Sequence, residues 1–151
     1  MHPQPQDELR VASFHDLTPG TLYDLLRLRS EVFVVEQECV YPDLDGRDAE
    51  PGTRHLWFDR GGEVRAYLRI LADEGTARIG RVVTAKSARG AGLAGRLIER
   101  ALEIIGDGPV VLHAQAYLVA FYARYGFEPT GPEYVEDGIP HVPMGRLPSA
   151  S

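Results

Sequence analysis

One stretch of this sequence limits the available folds more than any other. Thr76 to Val83 reads as a strand, Ser87 to Gly92 as a glycine-rich loop, Leu93 to Ile105 as a helix and Pro109 to Ala114 as a buried strand. Leu93, Leu97, Ile98, Ala101, Leu102 and Ile105 fall on one helical face, and Gly106 and Gly108 stop the helix. Such a strand–helix–strand unit occurs once. Upstream of it, His55 to Asp59, the turn Gly61-Gly62 and Glu63 to Leu71 form a hairpin. Asp73-Glu74-Gly75 makes a further turn into Thr76. Antiparallel strands followed by one crossover unit exclude a pure doubly wound fold and a sandwich.

The flanking segments complete the order. Leu9 to Phe14 is a first strand. Thr18 caps a helix with Pro19 at its first position, and Leu22, Leu25, Leu26, Val32 and Phe33 carry its apolar face to about Glu36. Gln37 to Thr53 is a long acidic loop, of a length that in compact domains is usually functional or mobile. Leu118 to Tyr125 is a short helix ended by Gly126, and two short strands surround Asp137-Gly138. The order β-α-β-β-β-α-β-α-β-β predicts a mixed α+β domain of the α/β class: a mostly antiparallel sheet with helices on both sides. One domain over residues 9–146 is expected, with a disordered arm over 1–8 and a disordered tail over 147–151.

Charge narrows the function. A net charge of −6 argues against a nucleic-acid partner, which needs a basic face. The charge is uneven. From Glu31 to Glu50 seven acids accompany one base, Arg47, whereas from Arg78 to Arg100 six bases accompany one acid, Glu99. This suits an anionic ligand on the basic segment and a cationic one near the acidic segment. Cys39 is the single cysteine, and no Cys/His cluster has zinc spacing, so no disulfide or metal is expected. No apolar run reaches membrane-span length, and residues 1–6 lack signal-peptide character, so a cytoplasmic, membrane-free location is expected.

The loop Arg89-Gly90-Ala91-Gly92-Leu93-Ala94-Gly95 supports two readings. As Gly-x-Gly-x-x-Gly it matches the dinucleotide fingerprint, but Thr84 to Arg89 separate it from the strand, and the next strand ends in Ala114-Gln115 with no acidic residue for a ribose. A kinase reading lacks its other motifs. As Arg89-x-x-Gly92-x-Ala94 the same residues resemble the acetyl-CoA pyrophosphate loop of the GNAT acyltransferases. There, unpaired N–H groups at a helix start and its positive dipole end receive phosphate oxygens. Gln115, Phe121-Tyr122 and Gly126-Phe127 resemble the Asn, Tyr and Gly-Phe of that family, with Gln in place of Asn. Gln115 and Tyr122 lie seven residues apart, which on a helix is one face. Glu31 to Gln37, Tyr41 to Asp48, Ile79 to Val82, Ala114 to Ala116 and Tyr134 to His141 further resemble the ElaA branch of the GNATs.

The resemblance implies acetyl-CoA as donor, held by Val82, Val83, Arg89, Gly90, Ala91, Gly92, Leu93, Ala94, Gln115 and Tyr122. It implies direct attack by a small-molecule or peptide amine, with a Val82 or Val83 N–H facing the oxyanion, a bulge admitting the pantetheine arm, and Tyr122 as acid to the thiolate. The usual strand carboxylate is missing at Ile79-Gly80-Arg81. Bases to consider are His141, His113, Glu36 and Glu38, and His141 is preferred because an imidazole titrates near neutrality. Arg81 reads as a pairing or cofactor residue. Glu36, Asp43 and Asp45 are expected to recruit a cationic, polyamine-like or lysine-like acceptor. A homodimer is compatible with this reading. The rival readings are a non-catalytic acyl-CoA-binding module and transfer of longer acyl groups or to oxygen.

Overall fold

In the computed structural model, which describes residues 5–146, the chain runs β1 (Glu8–Ala12), α1 (Pro19–Arg29), β2 (Arg54–Arg60), β3 (Glu63–Asp73), β4 (Thr76–Thr84), α2 (Leu93–Ile105), β5 (Val110–Gln115), α3 (Val119–Ala123), β6 (Glu128–Pro129), β7 (Tyr134–Glu136) and β8 (Ile139–Arg146). One sheet takes all eight strands in the order β1-β2-β3-β4-β5-β8-β6, with β7 also on β8. Among the described residues only β4 and β5 pair in parallel, as the crossover through α2 requires.

Alternation along the strands gives the sheet two apolar faces. Leu56, Phe58, Ala66, Leu68, Ile70 and Ile79 meet Leu93, Leu97, Ile98 and Ala101 of α2. Trp57, Tyr67 and Val83 point the other way, onto Leu25, Leu28, Val32 and Phe33. Thr18 caps α1 by accepting the Thr21 N–H at 3.1 Å. After Arg29 the helix widens into a π-helical segment, Ser30–Glu36.

Two irregularities open the sheet. Tyr67 stands opposite Val83 and Arg69 opposite Gly80, so β4 carries one extra residue, and Arg81 adopts φ +54° there. Before it, β4 and β5 pair only at Ala77–Val110 and Arg78–Val111, and then they diverge.

The segment between α1 and β2 is held from below. Arg29 is 1% exposed. Its Nε meets Asp43 Oδ2 at 3.1 Å, its Nη1 meets Asp48 Oδ1 at 2.7 Å, and its Nη2 donates to the Asp43 carbonyl at 3.0 Å. Arg69, also buried, donates to Asp45 at 2.9 Å and to Asp48 at 3.0 Å. Arg81 pairs with Asp43 at 2.9 Å and with Asp45 at 3.3 Å. Beneath them the buried Tyr67 hydroxyl and His55 Nδ1 share a hydrogen bond of 2.6 Å, His55 Nε2–H donates to the Asp48 carbonyl at 3.0 Å, and burial favours the neutral imidazole.

The acidic segment is therefore no free, solvated surface. Asp43, Asp45 and Asp48 are matched by three arginines that lie outside Glu31 to Glu50 in the chain. The domain also begins earlier than expected: β1 starts at Glu8, and Asp7 pairs with Arg60 at 2.8 Å and Arg65 at 2.9 Å. Residues 1–4 of the expected arm and the whole expected tail, 147–151, lie outside the described residues.

Removing one member of a buried ion network leaves the others uncompensated. Arg29→Met is expected to lower stability at pH 7 by about 3–5 kcal/mol in urea denaturation, with much of the loss recovered when Asp43→Asn and Asp48→Asn are added. Burial works against the charges of Asp45 and Asp48, but the hydrogen bonds from Arg69 and Arg29 outweigh it and hold both below 3.8. Burial also lowers His55 below 6.5. In all three cases the unfolded chain binds the proton more readily, so stability is full above the unfolded values and falls with acidification. The decline should begin below about 6.5 through His55 and steepen below about 3.8 through the aspartates. An Arg29→Met protein within about 1 kcal/mol of the parent would refute the anchoring role.

Candidate active site

The divergence of β4 from β5 opens a cleft of about 730 Å³. Val82, Val83, Thr84, Arg89 and Ala94 line it from the β4–α2 side, and Leu112, His113, Gln115, Tyr122 and His141 line it from β5, α3 and β8. Phe33, Glu36, Gln37, Cys39, Tyr41 and Asp45 close it from the π-helical segment and the following loop.

The loop before α2 brings bare backbone to the cleft. Gly90 has φ +89° and Gly92, the N-cap of α2, has φ +74°, both in the left-handed region. No side chain caps α2, so the first N–H groups stay available to a ligand. Gly95, the third glycine of the literal dinucleotide pattern, has another cause: a Cβ there would collide with the Tyr125 hydroxyl. Tyr125 thus belongs to packing, as does Leu93, which is buried. Arg89 reaches over the mouth to Glu36 at 2.8 Å, and its Nε lies 3.4 Å from the Thr84 carbonyl.

Tyr122 is buried, yet it lines the cleft, and burial raises its pKa above 10.0, so the phenol keeps its proton at neutral pH. Gln115 donates to Gln37 Oε1 at 3.4 Å. Gln115 and Tyr122 meet in the cleft, but not on one helical face. Gln115 ends β5, a short turn over Ala116–Leu118 follows, and α3 begins only at Val119.

His141 Nδ1 lies 2.7 Å from the Ile139 carbonyl, to which it donates, so in the neutral ring the lone pair is on Nε2. His113 Nδ1 lies 2.5 Å from the Tyr134 hydroxyl. Of the four bases considered, His141, His113 and Glu36 line the cleft, and Glu38, exposed with φ +51°, does not.

The acidic trio is corrected in part. Asp45 lines the cleft but is engaged by Arg69 and Arg81. Asp43 is 7% exposed, faces Arg29 and Arg81 rather than the cleft, and offers no free carboxylate to an acceptor. Glu36 is the trio's member nearest the loop before α2.

Sequence reasoning missed Arg29, Tyr134 and the contact of Cys39 Sγ with the Asp137 carbonyl at 3.3 Å. Arg29 did leave a signal, since it falls on the helical stripe of Leu22, Leu25, Leu26, Val32 and Phe33, where a base is out of place. Among the described residues no helix is long and apolar enough to cross a membrane, and no three His, Cys, Asp or Glu side chains group as a metal site.

Residues 25–147 match the family model of the acetyltransferase (GNAT) domain. A UPF0039 protein of Mycobacterium tuberculosis is 50% identical over 145 residues, covering 93% of each chain. Protein ElaA of Escherichia coli is 42% identical over 138 residues, covering 87% of this chain and 90% of its own, and its crystal structure superposes with a TM-score of 0.88. The crystal structure of an acyl-CoA N-acyltransferase from Pseudomonas aeruginosa is 47% identical, covers 94% of this chain and 100% of its own, and gives a TM-score of 0.90.

Thermal unfolding tests the reason for each loop glycine. Gly92→Val places a β-branched residue in the left-handed region and should cost about 1–3 kcal/mol. Gly95→Leu must expel the Tyr125 ring and should cost about 1–3 kcal/mol through overpacking. Parent-like melting of Gly95→Leu would show that Tyr125 does not dictate that glycine.

Proposed function

This chain belongs to the GNAT acetyltransferase family and to its ElaA-like branch, and from that premise we propose that it moves the acetyl group of acetyl-CoA to an amine by direct attack in a ternary complex. Family and fold support acyl transfer in general. The observation that carries the finer reading is the fork between β4 and β5. It ends at a helix start without a side-chain cap and holds a buried phenol and an imidazole lone pair.

The residues present fit the donor. Left-handed Gly90 and Gly92 with the small Ala91 let a pyrophosphate approach the N–H groups of Leu93 and Ala94, and Arg89 adds charge. Glu36 is the anion that this pyrophosphate would replace on Arg89, and its release would turn a carboxylate toward the acceptor. The thioester supplies the activated acetyl group. Val82 or Val83, just past the bulge, would offer a backbone N–H to its oxygen, and Gln115 would bind the arm. His141 Nε2 takes the proton of the incoming ammonium, and Tyr122 gives its proton to the leaving sulfur. With Asp43 buried and Asp45 engaged, Glu36 alone remains to recruit a polyamine. An unpaired Cys39 suits the reducing cytoplasm.

Steady release of free CoA thiol from acetyl-CoA in the presence of primary amines is the direct assay. Binding of acetyl-CoA without release on any amine would instead favour a non-catalytic sensor, and faster turnover of long-chain donors would revise the acyl group. Tyr122→Phe should lower kcat by about 10²–10⁴-fold with little change in acetyl-CoA affinity, since only the hydroxyl is lost. A loss below about threefold would leave Tyr122 as a packing residue.

A further inference from the structure

We propose that the two cleft histidines present opposite edges, His113 an N–H donor and His141 a lone pair, and that the acceptor is accordingly an amine with a hydrogen-bond-accepting oxygen a few bonds from its nitrogen. This deepens, and rests on, the amine-transfer reading.

The strands set the geometry. Gln115 stands opposite His141 and His113 opposite Pro143, so His113 and His141 share one face of the sheet as diagonal neighbours, roughly 7–8 Å apart at the backbone. Both line the cleft. Tyr134 pairs with His141 across β7 and β8, stacks on its ring at 5.8 Å and 25°, and meets the His113 ring edge-on at 5.8 Å and 85°.

Hydrogen bonds then separate the two imidazoles. The Tyr134 phenol has one proton and two acceptors in reach: His113 Nδ1 at 2.5 Å and Glu136 Oε2 at 3.5 Å. The second lies at the limit of a hydrogen bond, and we assign the phenol proton to the first, with His113 Nδ1 accepting. A neutral imidazole that accepts at Nδ1 carries its hydrogen on Nε2. His113 is kept neutral by burial and by Arg78 on β4, with His141 on β8 acting in the same sense and Glu136 on β7 against it. His141 is the reverse case. Its Nδ1 faces the Ile139 carbonyl, which can only accept, so Nδ1 carries a hydrogen and the neutral ring has its lone pair on Nε2.

An acceptor that satisfies both edges gives its amine to His141 and an oxygen to His113. Amino-acid amides, peptide N-termini and amino alcohols have this chemistry. A bare polyamine does not, because its remaining nitrogens are ammonium donors that meet a donor at His113. Tyr134 acts through His113 and is a positioning residue.

The tautomers can be read without turnover, from imidazole ¹⁵N spectra of the whole protein. The expected result is an unprotonated Nδ1 in His113, an unprotonated Nε2 in His141, and a mixture at His113 in Tyr134→Phe. One tautomer shared by both histidines would overturn the assignment. Turnover tests the specificity, using kcat/KM for alaninamide against sec-butylamine, whose own basicities cancel when variants are compared. His113→Phe should reduce the preference for alaninamide about tenfold, the effect of one lost hydrogen bond in a partly desolvated site. His113→Gln, which keeps an N–H donor, should restore part of it. A preference held within about twofold in His113→Phe would sink the oxygen-site inference while leaving amine transfer intact. Failure of both amines, and of all others, would remove the amine reading itself.

Discussion

Arg29 is almost wholly withdrawn from water, and a guanidinium in that position must be met by hydrogen-bond acceptors and compensated by anions. Its anions come from Asp43 and Asp48, both in the irregular segment that follows α1. That segment consequently has one place to lie: across the helix end, beside the sheet opening. The same carboxylates and Asp45 then engage Arg69 and Arg81. Arg81 sits at the extra residue of β4 with a left-handed backbone, a conformation that costs a non-glycine residue about 1–3 kcal/mol. Its ion pairs are what offset that cost. The buried charge under α1 and the bulge that opens the cleft are thus parts of one assembly.

From the bulge onward the site follows from sheet geometry. Because β4 leaves β5 after two paired positions, the space between them is bounded by backbone on both sides. The α2 N-terminus faces one end of this space, and the β5–β8 face with its histidines the other. The end at α2 is organised by backbone, with left-handed glycines and a helix start that no side chain caps. The opposite end is organised by side chains, with Tyr134 between two imidazoles.

How much of this could be read beforehand depended on whether the determining contact was local. The α2 face, the Gly61-Gly62 hairpin, the loop before α2 and the closing strands at Asp137-Gly138 are encoded by neighbours in the chain, and they were legible. So was the bulge near Val82, through the family resemblance. The pairing of Asp43, Asp45 and Asp48 was not legible, because each partner lies 14 to 38 residues away. Counting charges between Glu31 and Glu50 left out Arg29, which stands just before that window and neutralises two of its acids. The helical spacing of Gln115 and Tyr122 was also misleading. They converge because a strand end, a tight turn and a short helix happen to fold back, which spacing alone does not reveal.

The π-helical segment after Arg29 separates two faces of one continuous helix. In its widened turn the Gln37 N–H reaches the Val32 carbonyl at 3.1 Å, five residues back. Upstream, Arg29 is locked onto its aspartates. Downstream, Glu36 and Gln37 look into the cleft. A residue gained or lost in an ordinary helix turns everything beyond it by about 100°. Here the loosened turn lies between the anchored half and the cleft-facing half. Ancestral insertions or deletions at this point would therefore redraw the rim of the cleft while leaving the buried charge in its seat, making chain length as well as side-chain identity a variable on which diversification of this scaffold can act.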